Sequence, residues 1–439
     1  MTSSLFETTT GGGTMTALTR IVEQGCGCGA ADELGGLVSI DEAIARIVRN
    51  AVEVAETEIL SLASARGRVL GEPVCAISAA PPFDNAAMDG YAINSACLTG
   101  NGPWILPVTN RIAAGQKNVG SVRLGNAAQI FTGAPMPEGA DAVVMQENVQ
   151  RTEGAIVVLQ KVRSSSHVRR TGEDIVAGDV VVSAGRRLTA RDIAACAAAG
   201  SAAVRVRRRV RVALLVTGDE VSTTGDSRKT SGIWDVNTPM LRAAIETTGI
   251  ELVRVETGED NRAGLRRQLG ELAKSVDLIV TTGGISVGEE DHVKPALTDL
   301  GLLMAFTGVV MKPGKPVSYG KLGAVHWLGL PGNPLSAFIA WQMFGTVLSR
   351  CLSGGTAPHS RRRHVVLSRP LRHKFGRCEL RLAELSGFDG MGREGVHFDD
   401  ATHSGRVARL PIADGVILIP SEVENLPEGA LVEFQPFCD

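Results

Sequence analysis

The chain has 439 residues, more than one ordinary hydrophobic core accommodates, so two to four domains are expected. Hydrophobic residues make up 44%, charged residues 21%, and the formal net charge is −2, a soluble globular composition with no basic excess for general nucleic-acid binding. Aromatic residues are only 4%, which argues against broad base-stacking platforms, and no apolar run is expected to approach the roughly 18 residues of a membrane span.

The first stretch, MTSSLFETTTGGGTMTALTR, has neither the basic start nor the apolar segment of a signal peptide. Residues 1–37 are rich in Gly, Thr and Ser and are expected to form a disordered tail. Cys26 and Cys28 have no second close pair to complete a four-ligand zinc set. The eight scattered cysteines read as reduced thiols of a cytoplasmic protein.

Order is expected from SIDEAIARIVRNAV. Ser39 and Glu42 have capping-box spacing, and Ile40, Ala43, Ile44, Ile47 and Val48 recur at helical intervals, predicting a helix of about 15 residues. Residues 67–77 read as extended. From 78 to 160, short strands broken by Gly, Pro and Asn predict a small β-rich inserted domain. LTARDIAACAAAG predicts a helix opened by Thr189 and closed by Gly200. In VRVRRRVRV, residues 204–212, charges alternate with valine as on a strand with one solvated face.

Beyond Val210 apolar strands alternate with helices. NTPMLRAAIETTG predicts a helix with Thr238 as cap and Pro239 first, and NPLSAFIAWQMFGTVLSRCLSG a long helix capped by Asn333 and begun by Pro334. The expected fold class is α/β multidomain. A central open, mostly parallel α/β domain at 207–353 is joined by an elongated helix-containing N-terminal or dimerisation domain, residues 38–77 with 161–206. The inserted β domain at 78–160 and a C-terminal β domain at 361–439 complete it.

Ligands of such sheets bind beyond the carboxyl ends of the strands. Four loops fall there: TGDE (217–220), TTGGISVGEED (281–291), MKPGKP (311–316) and LPGNPLS (330–336). Gly283 and Gly284 let backbone N–H groups approach a phosphate, with Ser286 as a hydrogen-bonding neighbour and Asn333 at a helix start. Lys312 and Lys315 add positive charge; Glu220 and Asp291 add oxygen ligands of the kind Mg²⁺ prefers. Together they describe a site for a phosphorylated ligand and a divalent ion. Gly284-Ile285-Ser286-Val287-Gly288 also matches the G-x-S-x-G of serine hydrolases, with Asp299 and His326 in formal order. His326, however, lies in the apolar run AVHWLGL, where a side chain packs rather than projecting from a loop, so a serine hydrolase using Ser286 stands only as the remote alternative.

The segments PPFDNAAMDGYAI, FTGAPMPEGADAVVMQE, RRTGEDI, VTGDE, TTGGISVGEEDHVK, VMKPGKP and GLPGNPLSAF, in this order over residues 38–437, resemble the molybdopterin molybdenumtransferases. That family includes bacterial enzymes and the equivalent domains of plant and animal molybdenum-cofactor proteins such as gephyrin. The resemblance implies an enzyme that places molybdenum from molybdate on adenylylated molybdopterin, with Mg²⁺-dependent release of AMP. It implies a cytoplasmic homodimer, with possible contact to the molybdopterin adenylyltransferase; neither nucleic acid nor membrane is an expected partner. The runner-up is a non-catalytic molybdopterin-binding or scaffold protein of the same fold.

By resemblance, Asp89 and Thr132 match positions at the substrate cleft, and Asp174 falls in RRTGEDI among the substrate-binding residues. Glu220 and Asp291 match carboxylates near nucleotide and metal, Asp260 a third metal ligand, and Lys294 the lysine of the same turn as Asp291. Lys312, Lys315 and Ser336 match the molybdate pocket, with Arg377 and Ser404 approaching from the C-terminal domain. Asp89, Glu220, Asp291, Lys312 and Lys315 are the expected catalytic set. The sequence departs from many relatives at Asn261, where an Asp-Asp pair is common, and at Ala408 and Arg409, where serines are.

Overall fold

A computed structural model describes residues 36–218, 221–222, 232–285, 291–356, 362–400 and 405–437. Glu220, Ser286, Ser404, Cys26 and Cys28, and the expected tail to residue 35, lie outside the described residues. The chain divides into two compact units. One comprises residues up to 58 with 67–69 and 207–439, the other 59–66 with 70–206.

The first unit is built on a six-stranded sheet. Its strand order is Ile250–Thr257, Val210–Val216, Leu278–Thr282, Val325–Leu330, Ser318–Leu322 and Leu303–Phe306. The first four run parallel, and Ser318–Leu322 is antiparallel to both its neighbours. In Val210–Val216 the side chains alternate between two cores. Val210, Val212, Leu214 and Val216 join one apolar cluster, Ala213 and Leu215 the other. Both faces of this strand are therefore covered, as buried parallel strands require.

The first face packs against helices Ile40–Asn50, Asn237–Ile245 and the Pro334–Leu352 stretch; the second packs against Arg262–Leu272 and Val293–Asp299. Ile40–Asn50 has 11 residues, not 15, and Ser39 caps it by accepting from Glu42 N at 3.1 Å. Ile40, Ala43 and Ile47 are buried in the α/β core. Residues 38–58 thus belong with the sheet rather than with the elongated segment expected from sequence.

Pro334–Leu352 is one helical stretch of 19 residues with a π-helical turn at Trp341–Gly345. It is long and apolar enough to cross a membrane, contrary to the expectation that no run is. Most of it is buried against the core, which accounts for its apolar character here.

The C-terminal residues form a second six-stranded sheet in this unit, and the pairing of Cys378–Phe388 with Gly415–Ile419 closes five of its strands into a ring. Its interior is lined by Val365, Leu367, Ile417 and Phe434. Cys378, Leu380, Leu382, Val416 and Leu418 point the other way, into the core of the α/β layers. The sixth strand, Met311–Lys312, comes from the α/β segment and pairs in parallel with Cys378 and Glu379.

The second unit contains a six-stranded sheet in the order Ala142–Met145, Gly90–Ile93, Ala127–Ile130, Trp104–Ile112, Ala155–Val158 and Val149–Thr152, with an apolar cluster on each face. A separate core around Leu70, Val182, Leu188 and Cys196 holds helix Ala190–Ala198. That helix opens with a Thr189–Asp192 capping box and is followed by Gly200 at φ +87°. The arginine-rich stretch is two strands, Ala203–Arg207 and Val210–Val216, rather than one. At the break Arg208 bonds both oxygens of Asp277, at 2.8 and 3.1 Å. A charge committed to an ion pair ends the alternation.

Candidate functional site

Register places four strand ends level. Thr257 pairs with Val216, Val216 with Thr282, and Thr282 with Leu330. The loops that follow, Gly258-Glu259-Asp260, Thr217-Gly218, Gly283-Gly284 and Pro331-Gly332-Asn333, therefore leave the sheet side by side. They line a cleft of about 760 Å³. Lys312, Pro313, Gly314, Lys315 and Pro316 form a further wall, together with Ser336 and Arg377.

The glycine turns are held by close packing. Gly283 has φ +85°, and a Cβ there would lie 2.6 Å from Thr217 Oγ1 and 2.7 Å from Thr217 O. Gly284 has φ +60°, with Val293 Cγ2 at 2.8 Å from the same imaginary atom. These are left-handed conformations that L side chains tolerate poorly. Around them, Gly283 N donates to Leu330 O (3.2 Å), and Thr282 Oγ1 donates to Pro331 O (2.9 Å). Asn237 Nδ2 donates to Thr282 Oγ1 (3.1 Å) and Gly332 O (2.7 Å). One amide thus ties two loops together.

Asn237 was not among the residues expected at the site, because the expected cap at Thr238 hides it. The helix instead begins at Asn237, and the Asp235 carboxylate accepts from Thr238 N at 2.9 Å. Trp234, Asp235 and Thr217 also line the cleft without any motif to announce them.

Charges of both signs line the cleft. Lys312, Lys315 and Arg377 are cationic; Asp235, Glu259, Asp260 and Asp291 are acidic. Glu259 is paired with Arg267, whereas exposed Asp260 makes no ion pair among the described residues. Asn261 caps helix Arg262–Leu272 by accepting from Gly264 N at 2.7 Å. Lys312 is anchored from behind by the buried carboxylate of Glu379, 3.4 Å away. Ser336 is buried in the first turn after Asn333, and Gly314 packs near its carbonyl. Lys294 does not line the cleft; half-buried, its ammonium is pushed below the usual lysine pKa by desolvation, against the opposing charge of Asp291.

Of the residues singled out from sequence, Asp260, Gly283, Gly284, Asp291, Lys312, Lys315, Asn333, Ser336 and Arg377 thus share one cleft. Asp89, Thr132 and Asp174 are in the other unit. There Asp89 Oδ1 accepts from both Thr132 N (2.8 Å) and Thr132 Oγ1 (2.7 Å), and the backbone N–H foremost holds its carboxyl below the usual range. Asp174 is exposed beside Ile175, Asp179 and Val180 in a shallower depression.

Neither His326 nor Asp299 is placed to serve a hydrolase triad. His326 is 2% exposed, bonded through Nδ1 to Tyr319 OH at 3.0 Å, and aligned with Leu278. Leu278 is four residues, roughly 13 Å, before the Thr282 end from which the glycine loop departs. Asp299 is engaged by Arg262.

Residues 38–200 match the family model for the MoeA N-terminal region (domain I and II), and residues 213–350 that of a probable molybdopterin binding domain. The chain is 32% identical over 396 residues to molybdopterin molybdenumtransferase 2 of Mycobacterium tuberculosis, covering 88% of this chain and 97% of that protein. It is 34% identical to the molybdopterin molybdenumtransferase of Haemophilus influenzae, covering 72% and 78%. Among solved structures, the molybdopterin biosynthesis moeA protein of Pyrococcus horikoshii OT3 superposes with a TM-score of 0.77 at 26% identity, over 91% of this chain and all of that one. Full-length identity of this order, on the same fold, places the chain in the molybdopterin molybdenumtransferase family.

Proposed function

We propose that this chain inserts molybdenum from molybdate into adenylylated molybdopterin and releases AMP. The observation that carries the proposal is the cleft at the level strand ends, where glycine turns, Lys312, Lys315 and Arg377 meet the carboxylates of Asp260 and Asp291. Backbone N–H groups of the turns suit a pyrophosphate, and the cations suit both it and the molybdate oxyanion. The substrate brings its own dithiolene sulfurs, so molybdenum needs no protein cysteines.

The donor set fits Mg²⁺. This ion is usually held by one or two carboxylates together with substrate phosphates and waters. The cleft offers Asp260 and Asp291, and among the described residues no three His, Cys, Asp or Glu side chains form a preassembled cage. When bound, the ion would offset the negative charge of the pyrophosphate; Asp260 and Asp291 would hold it, with Glu220 added by the family resemblance alone. A cytoplasmic homodimer that receives its substrate from the adenylyltransferase completes the reading, drawn from the family.

Purified protein supplied with adenylylated molybdopterin, molybdate and Mg²⁺ is expected to release AMP and yield cofactor that activates an apo-molybdoenzyme. Lys312→Ala is expected to lower this at least about tenfold, the loss of one charge-assisted contact. Substrate binding without AMP release by the wild type would leave a non-catalytic carrier instead.

A further inference from the structure

The chain has four tryptophans, and three have committed their indole N–H groups. Trp104 donates to Thr99 O at 2.6 Å, Trp327 to Thr281 Oγ1 at 3.1 Å and Trp341 to Ala244 O at 3.1 Å. The Trp234 indole makes no hydrogen bond or ring contact among the described residues, and 43% of the residue is exposed. Beside it Ile233 is 55% exposed. Both line the cleft, where the other walls are largely glycine turns, prolines and charged side chains.

This apolar pair is held in place at the backbone. Ile233–Trp234 pairs in parallel with Val221–Ser222. The next residue, Asp235, fixes the helix start through Thr238 N, and Asn237 binds the turns at Thr282 and Gly332. The indole is therefore tied by a three-residue tether to the loops that suit phosphate. A large aromatic surface left in water beside such loops lowers the free energy once a flat apolar group covers it.

We propose that Trp234 is a stacking platform for the flat nitrogen heterocycle of the nucleotide-bearing substrate, its adenine or its pterin, with Ile233 against the ring edge. The inference rests on the adenylylated substrate proposed above. It makes Trp234 the residue that distinguishes a ring-bearing phosphate ester from phosphate alone. Aromatic stacking is worth about 1–3 kcal/mol per base when removed by alanine, or ~5- to 150-fold in affinity.

The test uses the full chain as wild type, Trp234→Phe and Trp234→Ala, each first shown to unfold at the wild-type temperature. Binding of AMP and of ribose 5-phosphate is measured by calorimetry, and the KM for adenylylated molybdopterin by AMP release. Weaker AMP binding by ~5- to 150-fold in Trp234→Ala, retained in Trp234→Phe, with ribose 5-phosphate unaffected, assigns the platform to adenine. Unchanged AMP binding with a raised KM in Trp234→Ala assigns it to the pterin. Wild-type AMP affinity and wild-type KM in Trp234→Ala would overturn the proposal. Absence of AMP release by the wild type would instead defeat the transferase reading, and the AMP and ribose 5-phosphate comparison would then decide the platform alone, equal binding in all three proteins overturning it.

Discussion

The ammonium of Lys312 stands 3.4 Å from the carboxylate of Glu379, a side chain only 5% exposed. The same carboxylate lies 3.3 Å from Arg381 and 3.7 Å from His373, both buried. One buried anion therefore gathers these side chains where Met311–Lys312 joins the C-terminal sheet, and it holds Lys312 at the cleft wall. Glu379→Gln keeps the shape and removes the charge. It is expected to slow AMP release about tenfold while the protein stays folded. Glu379→Ala deprives buried Arg381 of its carboxylate and is expected to destabilise by about 3–5 kcal/mol in urea unfolding. Wild-type turnover in Glu379→Gln would show that Lys312 holds its place unaided.

The two glycines of the turn are expected to fail differently. Gly283→Ala meets the Thr217 carbonyl, which no side-chain substitution removes, as well as a φ of +85°. A loss of about 2 kcal/mol or more is expected, unrelieved by Thr217→Ala. At Gly284 the nearest atom is Val293 Cγ2, so adding Val293→Ala to Gly284→Ala should recover part of the loss. A double-mutant cycle by chemical denaturation should read a coupling of about 1 kcal/mol for Gly284 with Val293, and near zero for Gly283 with Thr217, whose carbonyl remains after substitution.

His326 sets a pH dependence of stability. Burial, foremost, pushes its pKa down to about 4 from an ordinary 6.5. The unfolded chain therefore takes up the proton first. The contribution of neutral His326 is complete above pH 6.5, falls as pH drops towards 4, and then levels off. The span corresponds to roughly 3 kcal/mol. Unfolding free energies between pH 4 and 7 should show this slope in the wild type and lose it in His326→Gln; parallel curves would contradict it.

Asn261, the departure from the family's acidic pair, has its side-chain oxygen committed to Gly264 N. Asn and Asp cap helices about equally well, so Asn261→Asp should leave stability nearly unchanged, while Asn261→Ala should cost about 1 kcal/mol. Titration of AMP release with Mg²⁺ should give Asn261→Asp a half-saturation within about twofold of the wild type. A large tightening would mean that this position can reach the ion.

Period-2 and period-3.6 patterns in the sequence announce the parallel sheet and its helices, because those elements bury a face whatever the rest of the chain does. Glycines, prolines and lysines at strand ends likewise announce a phosphate-type cleft: Gly283, Gly284, Lys312, Lys315, Asn333 and Ser336 line it as a group. What the sequence alone could not supply depends on partners far along the chain. Helix Ile40–Asn50 reads equally well in any amphipathic setting, and only the packing of Ile40 and Ile47 assigns it to the α/β core. Glu379 lies 67 residues from Lys312 with nothing local to link them. Trp234 and Asn237 have no motif; register between strands brings their loops level. The G-x-S-x-G pattern with which Ser286 invites a hydrolase reading meets its answer in the same register, which fixes His326 at the far end of the sheet. Local sequence determined which elements form and which chemistry their ends carry; long-range pairing decided which of those residues share one cleft, because strand register is set between segments and not within them.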